Sequence, residues 1–165
     1  MHGGHGGHGE MDTKMVRHHY LMLGVNLLLS LIIMYVAMFA MIWTWAEFVQ
    51  NINFLYMALV MWAPMAAVML LTMRPMYPDK RVNGLLYLAF AAVFIASLFG
   101  IRNQALVRDD QFLRSMIPHH SGALLMCREA SIQDAEIKQL CEGIIASQSS
   151  EIEQMEAIRR RLGNH

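Results

Sequence analysis

Charged residues are scarce in this 165-residue chain: 13 lysines and arginines and 13 aspartates and glutamates make up 16% of it, without formal net charge. A soluble domain of this length usually carries more charge than that. The apolar residues, 56% of the chain, are gathered into long runs. A net charge near zero, with no basic patch that has aromatic residues interleaved, argues against nucleic-acid binding. The composition therefore predicts a membrane protein.

Cysteine is also scarce, since the chain has two, Cys127 and Cys141, without a CxxC pair. That number and spacing do not make a zinc site or a disulfide framework. The sequence likewise has no nucleophile–base set, no phosphate-binding loop and no paired carboxylates at acid–base spacing, so we do not expect an enzyme. Methionine is the residue in excess, with 16 copies.

Three apolar segments, at about 20–45, 54–73 and 83–101, occupy the first two thirds of the chain. Each matches or approaches the roughly 20 residues that a membrane-spanning helix needs. We predict a flexible tail over residues 1–19, a three-span region over 20–103 and an extracytoplasmic domain over 104–165.

The tail is rich in histidine and glycine. Its glycine pairs disfavour regular structure, and the spaced imidazoles of His2, His5 and His8 are suited to Cu(II), Ni(II) or Zn(II). The alternative is a polar tail or a cloning remnant without a metal.

Positive residues flank the spans unevenly. Lys14 and Arg17 lie on the same side as Arg74, Lys80 and Arg81, whereas the first loop has no lysine or arginine. The positive-inside rule therefore places the N-terminus in the cytoplasm and the C-terminal domain outside. In a bacterium this corresponds to the inner membrane, with the C-terminal domain in the periplasm.

Methionines recur at every fourth position of the second span, a row that covers about 24 Å. The row consists of Met57, Met61, Met65, Met69 and Met73. One interpretation is helix packing by a flexible apolar side chain, and the other is a thioether ladder that passes Cu(I) or Ag(I) across the membrane. No ionisable residue lies inside a span, so nothing indicates a proton-coupled path.

Soft-metal ligands cluster between residues 116 and 127. Met116, His119, His120, Met126 and Cys127 fall on one broad face of a helix at about 100° per residue. Thioether, imidazole and thiol groups together suit Cu(I), with Ag(I) and Cu(II) as alternatives. The other interpretation is that the methionines and the cysteine only line a helix seam. The spacing leaves open which histidine points inward.

A second C-terminal helix is predicted over about 134–162, and its apolar face includes Gln148, Glu151 and Met155. A carboxylate on such a face must be paired, protonated or bound to metal, so Glu151 either pairs with an arginine or lies beside the histidines. Counted outward from a turn near residue 132, Cys127 and Cys141 are about 6 Å out of register, and a disulfide between them is not expected.

The string Asp110-x-Phe112-x3-Met116-Ile-Pro-His-His120-x2-Ala123-x2-Met126, with Gln148-x2-Glu151-Ile152-x2-Met155, resembles the family called domain of unknown function 305. The resemblance covers roughly 104–162, and relatives in that family include periplasmic copper-binding proteins of the CopM type. It implies a ferritin-like hairpin and a role in copper tolerance. The paired Glu-x-x-His motif of di-iron bundles is absent, so iron oxidation chemistry has no ligand set.

These observations predict an all-α protein, with three transmembrane helices followed by a hairpin that dimerises into a four-helix bundle. We expect a membrane-anchored copper protein that acts as a buffer, a chaperone or an accessory to a copper exporter or periplasmic copper protein. One alternative is a helical interaction module without metal. Another is a small oligomeric Cu(I) transporter that uses the methionine-rich spans.

Overall fold

A computed structural model describes the backbone of residues 7–163 and the side chains from residue 13 onward, and this part of the chain is helical without strands. Single 3-10 turns lie at Trp45–Glu47 and Arg74–Met76. The α-helices are α1 (Gly7–Ala37), α2 (Ile52–Thr72), α3 (Lys80–Asn103), α4 (Asp109–Glu129) and α5 (Ala135–Gly163). The first three contain stretches long and apolar enough to cross a membrane, which confirms the all-α class and the three apolar helices.

Helix α1 differs from the predicted first span at both ends. It begins at Gly7, so the prediction of an irregular tail is wrong for residues 7–19. Residues 10–19 contain no glycine or proline, and extending a helix that has already formed adds one hydrogen bond for each residue fixed. The helix ends at Ala37, well before the predicted boundary at Trp45. His2, His5 and the side chain of His8 lie outside the described residues, so metal binding by the tail remains a prediction.

The chain forms two compact units, which we call the membrane unit and the hairpin unit. The membrane unit contains the described residues up to Met34 together with Met57–Leu98. The hairpin unit contains Tyr35–Tyr56 and the described residues from Phe99 onward. The loop between α1 and α2 therefore belongs to the same unit as α4 and α5.

The membrane unit packs α2 through small side chains. Ala63 and Ala66 are almost fully buried, in a cluster that also includes Leu27, Leu70 and Phe90. These alanines allow neighbouring helices to approach closely, as is usual where spanning helices meet.

The methionine row of α2 lies largely away from this packed face. Met57 and Met61 are 43% and 46% exposed, and Met73 is also exposed. Only Met69 of the row packs against the buried cluster of the membrane unit. The thioethers of Met57, Met61 and Met73 are therefore exposed on the surface of the membrane unit, whereas Met69 lies against its core.

The core of the hairpin unit lies between α4 and α5 and includes one residue from the first loop. Its buried members are Val49, Leu113, Ile117, Leu124, Ile152 and Met155. Helix α4 is continuous through Pro118, so residues on either side of the proline keep one helical phase. Met116 and His120 therefore remain on the same face, one turn apart.

The start of α5 is capped by Asp134. Its Oδ1 accepts hydrogen bonds from the backbone N–H groups of Glu136 and Ile137, at 2.9 and 3.0 Å. Replacing a capping aspartate by alanine costs about 1 kcal/mol of helix stability. We expect Asp134→Ala to speed amide hydrogen exchange in the first turns of α5 by about fivefold, whereas Asp134→Asn, which keeps the capping oxygen, should change it little. Equal exchange in the alanine variant and the wild type would contradict this cap.

Candidate metal centre

The two adjacent histidines of α4 have different environments. His120 is 9% exposed and faces α5, whereas His119 is exposed to solvent. The inward face is set by Leu113, Ile117 and Leu124, which are buried at the three- and four-residue spacing that a helix presents to a partner. His120 continues that row, so it is the inward histidine.

His120 lies against Glu151 of α5. Its Nδ1 is 3.1 Å from Glu151 Oε2, and the two side chains are 11% and 48% exposed. Despite this distance, Nδ1 has no hydrogen-bond partner of acceptable geometry among the described residues. A buried polar atom without such a partner is unusual, because leaving a hydrogen bond unmade costs free energy. The His120–Glu151 pair can therefore accept a ligand, such as a metal ion, at His120 Nδ1.

Burial also determines the protonation of His120. Desolvation lowers its pKa below 6.5; Glu151 raises that pKa and His119 lowers it, each less than burial does. The folded state therefore binds fewer protons at this site than the unfolded state, and the free energy of unfolding rises with pH. This contribution is complete above the unfolded pKa of 6.5 and is lost as the pH falls through the lower folded pKa.

We therefore expect the metal-free hairpin to unfold at lower urea concentration near pH 5 than near pH 7.5, in part because of His120. His120→Gln should reduce this pH dependence, since glutamine does not titrate. His18→Gln is the matched control, because this histidine is exposed and belongs to the membrane unit. An unchanged pH dependence in His120→Gln would contradict the assignment.

Two thioethers lie next to the His120–Glu151 pair. Met116 is one turn before His120 on α4, and Met155 is one turn after Glu151 on α5. Met155 is buried in the hairpin core, and Met116 packs against that same core. The structure thus brings four of the predicted ligands into one region at the hairpin seam.

The other predicted ligands are placed differently. Met126 is 53% exposed and His119 is also exposed, so both residues lie outside the seam between α4 and α5. Gln148 is half-buried on α5, one turn before Glu151. The predicted set therefore divides between an inner seam and an outer face of α4.

Cys127 and Cys141 form a disulfide, with their Cα atoms 5.3 Å apart. The expectation that they lie out of register is wrong, because it assumed that both helices begin at the same height beside the turn. The linker from Ala130 to Asp134 is non-helical, and an extended residue advances the chain by about 3.3 Å, against 1.5 Å in a helix. Helix α5 can therefore start beyond the end of α4. While oxidised, Cys127 offers no thiolate ligand.

Within the described residues, no three histidine, cysteine, aspartate or glutamate side chains come together as a metal site. For a metal at the His120–Glu151 pair, Met116 and Met155 are the further protein ligands that lie one helical turn away. Such a donor set combines one imidazole and one carboxylate with soft sulfur atoms. It differs from the structural zinc sites, which use four cysteine or histidine ligands.

The first loop contacts the histidine motif, a feature that no pattern in the sequence predicted. Ser121 is fully buried, and its hydroxyl donates to the carboxylate of Glu47, which is 7% exposed. The same hydroxyl accepts the backbone N–H of Trp43 at 2.5 Å, and Glu47 Oε2 also accepts from the Thr44 N–H at 2.9 Å. The sequence feature that could have indicated this contact is Glu47, the single carboxylate in the short polar link after Trp43 and Trp45.

Comparison with known proteins supports the family resemblance. Residues 96–159 match the family model described as a domain of unknown function, DUF305. The matched segment contains α4 and most of α5, including the His120–Glu151 pair. The apolar helices α1 and α2 lie outside it.

A curated relative is the uncharacterized protein L153 of Acanthamoeba polyphaga mimivirus, which is 42% identical over 76 residues. The alignment covers 44% of this chain and 50% of the relative, so the chain spans about half the length of the curated protein that it matches. No solved structure matches the chain.

Proposed function

We propose that this protein is a membrane-anchored copper-binding protein whose hairpin unit buffers or transfers Cu(I), with Ag(I) and Cu(II) as alternative ions. The observation that carries the proposal is the buried His120 Nδ1, which lies 3.1 Å from Glu151 Oε2 without a satisfactory hydrogen bond. Two ligand atoms bound to one ion at about 2.0–2.2 Å each lie roughly 3 Å apart. The spacing of the pair thus suits a shared metal.

The ligand chemistry favours a soft ion. Met116 and Met155 supply neutral thioethers beside the imidazole of His120, and Met155 is almost completely buried. Thioether sulfur selects Cu(I) over hard ions such as Mg²⁺ and Ca²⁺. The lowered pKa of His120 leaves its imidazole neutral, and therefore able to bind metal, at pH 7.

The distribution of charge and the disulfide both support an extracytoplasmic location for the hairpin. The first loop belongs to the hairpin unit and has no lysine or arginine, whereas Arg74, Lys80 and Arg81 lie in or beside the second loop. The positive-inside rule then places the hairpin outside the cytoplasm. The Cys127–Cys141 disulfide also fits an oxidising compartment. In a bacterium these features correspond to the inner membrane and the periplasm, where an exporter or a periplasmic copper protein is the expected partner.

Dimerisation of the hairpin into a ferritin-like four-helix bundle remains part of the proposal. Large apolar side chains stay exposed on both helices, including Phe112 at 52%, Ile137 at 49% and Leu140 at 62%. A second copy of the hairpin would cover such residues, because four-helix bundles bury the inward faces of all their helices.

The direct test is a Cu(I) titration of the full chain in detergent against a competing chelator. We expect His120→Ala to weaken the tightest Cu(I) site by at least tenfold, which corresponds to about 1.4 kcal/mol. Glu151→Gln removes the negative charge but keeps an oxygen ligand, so its effect should be smaller.

His18→Ala is the matched control, since His18 is an exposed histidine in the membrane unit. It should leave the affinity unchanged. Equal affinities for the wild type, His120→Ala and the control would overturn copper binding at this pair. The hairpin would then be an interaction module whose methionines only pack.

A further inference from the structure

Helix α4 presents a second set of soft donors on the face that is not directed at α5. His119, Gly122 and Met126 follow one another at spacings of three and four residues, so they form one row. His119 is exposed and Met126 is 53% exposed, whereas the glycine between them is buried. An imidazole and a thioether therefore flank a small covered position.

The group that covers Gly122 is Met41 of the first loop. A Cβ atom added to Gly122 would lie 3.5 Å from the Met41 carbonyl oxygen and 3.8 Å from the Met41 Cβ. Met41 is 50% exposed, so this residue is accessible from solvent. Met41 thus lies over the middle of the row formed by His119, Gly122 and Met126.

Two contacts hold this part of the loop on α4. The backbone N–H of Trp43 donates to Ser121 Oγ at 2.5 Å. The guanidinium of Arg128 stacks over the Trp43 ring, 4.6 Å from its centroid. Attraction between a cation and the face of an aromatic ring stabilises such a contact. Met41 is therefore kept beside α4 by its own neighbours in the loop.

We infer that Met41, His119 and Met126 form a second, solvent-accessible site for a soft monovalent cation, Cu(I) or Ag(I). The inference rests on the proposed function and adds to it a ligand from outside the matched family segment. Two thioethers and one neutral imidazole carry no charge, and such a set suits a soft monovalent ion better than a divalent one. The exposed outer site would exchange metal readily, while the buried His120 site would retain it.

The inference predicts two equivalents of tightly bound Ag(I) or Cu(I) per chain. The titration uses the full chain in detergent, with His2, His5 and His8 replaced by glutamine so that the tail does not contribute. The Met41→Leu/Met126→Leu variant should bind only the equivalent at the His120 site. The His120→Ala variant should bind only the equivalent at the outer site. Met22→Leu is the matched control, because Met22 is a 41% exposed methionine of the membrane unit.

Labelling the methionine methyl groups with carbon-13 gives a second readout that does not depend on stoichiometry. Added Ag(I) should shift the methyl resonances of Met41 and Met126 in one step and those of Met116 and Met155 in another. His120→Ala should remove only the second step, and Met41→Leu should remove or weaken only the first.

The outcomes separate this inference from the proposed function. One equivalent, lost in His120→Ala with no shift of the Met41 resonance, would overturn the outer site and leave copper binding intact. One equivalent that is lost only in the Met41→Leu/Met126→Leu variant would keep the outer site and overturn the His120 centre. Absence of binding would overturn both.

Discussion

Replacing Cys127 and Cys141 together by alanine is expected to lower the free energy of opening of the hairpin by about 3 kcal/mol. The two cysteines are 14 positions apart, and the disulfide closes a short loop around the α4–α5 turn. A crosslink of this length stabilises mainly because it removes conformations from the opened chain. The effect should be large, since the exposed Leu140 and Ile137 add little packing at this end of the hairpin.

Native-state hydrogen exchange of the full chain in detergent can measure this effect. We expect amides of α4 and α5 near the turn to exchange about 100-fold faster in the double variant than in the oxidised wild type. Treatment with a dithiol reductant should bring the wild type to the level of the variant and leave the variant unchanged. Met126→Leu, which changes a neighbouring exposed side chain, is the matched control. Equal exchange of the oxidised wild type and the variant would show that the disulfide does not stabilise the hairpin.

The helical class and the three apolar helices of this protein could be predicted from the sequence because strong local patterns encode them. An apolar segment as long as Phe54–Met73 usually forms a membrane-spanning helix. The strings from Asp110 to Met126 and from Gln148 to Met155 likewise carried the family resemblance, through the identity and order of their residues. These patterns are contiguous, so they do not depend on how distant segments meet.

The features that the sequence did not predict depend on contacts between segments that are distant in the chain. Predicting the disulfide requires the position of α5 along the axis of α4. The non-helical linker of five residues sets that position, and helical periodicity does not report it. Adjacent His119 and His120 differ by about 100° around α4, and the spacing of the candidate ligands does not tell which of the two is buried. The contact of Glu47 with Ser121 joins residues 74 positions apart, and no local pattern reports it.

Ser121→Ala is expected to free the first loop from α4, at a cost of about 2–3 kcal/mol. The serine hydroxyl is fully buried, donates to Glu47 and accepts from the Trp43 N–H. Alanine leaves a buried carboxylate with one hydrogen bond fewer and a backbone donor without this acceptor. Bonds to charged groups are among the stronger hydrogen bonds, and an unmade bond at a buried site carries the desolvation cost of the group.

The measurement is a double-mutant cycle of Ser121→Ala and Glu47→Gln, followed by hydrogen exchange of the loop amides from Trp43 to Val49. Each single variant should speed exchange strongly, and the double variant should add less than the sum, because the two changes disrupt one interaction. Ser147→Ala, at an exposed position of α5, is the matched control and should change nothing. Strict additivity would mean that Glu47 and Ser121 act separately. Coupling would instead identify this buried contact as the link that fixes the loop beside the histidine motif, and with it the position of Met41 over Gly122.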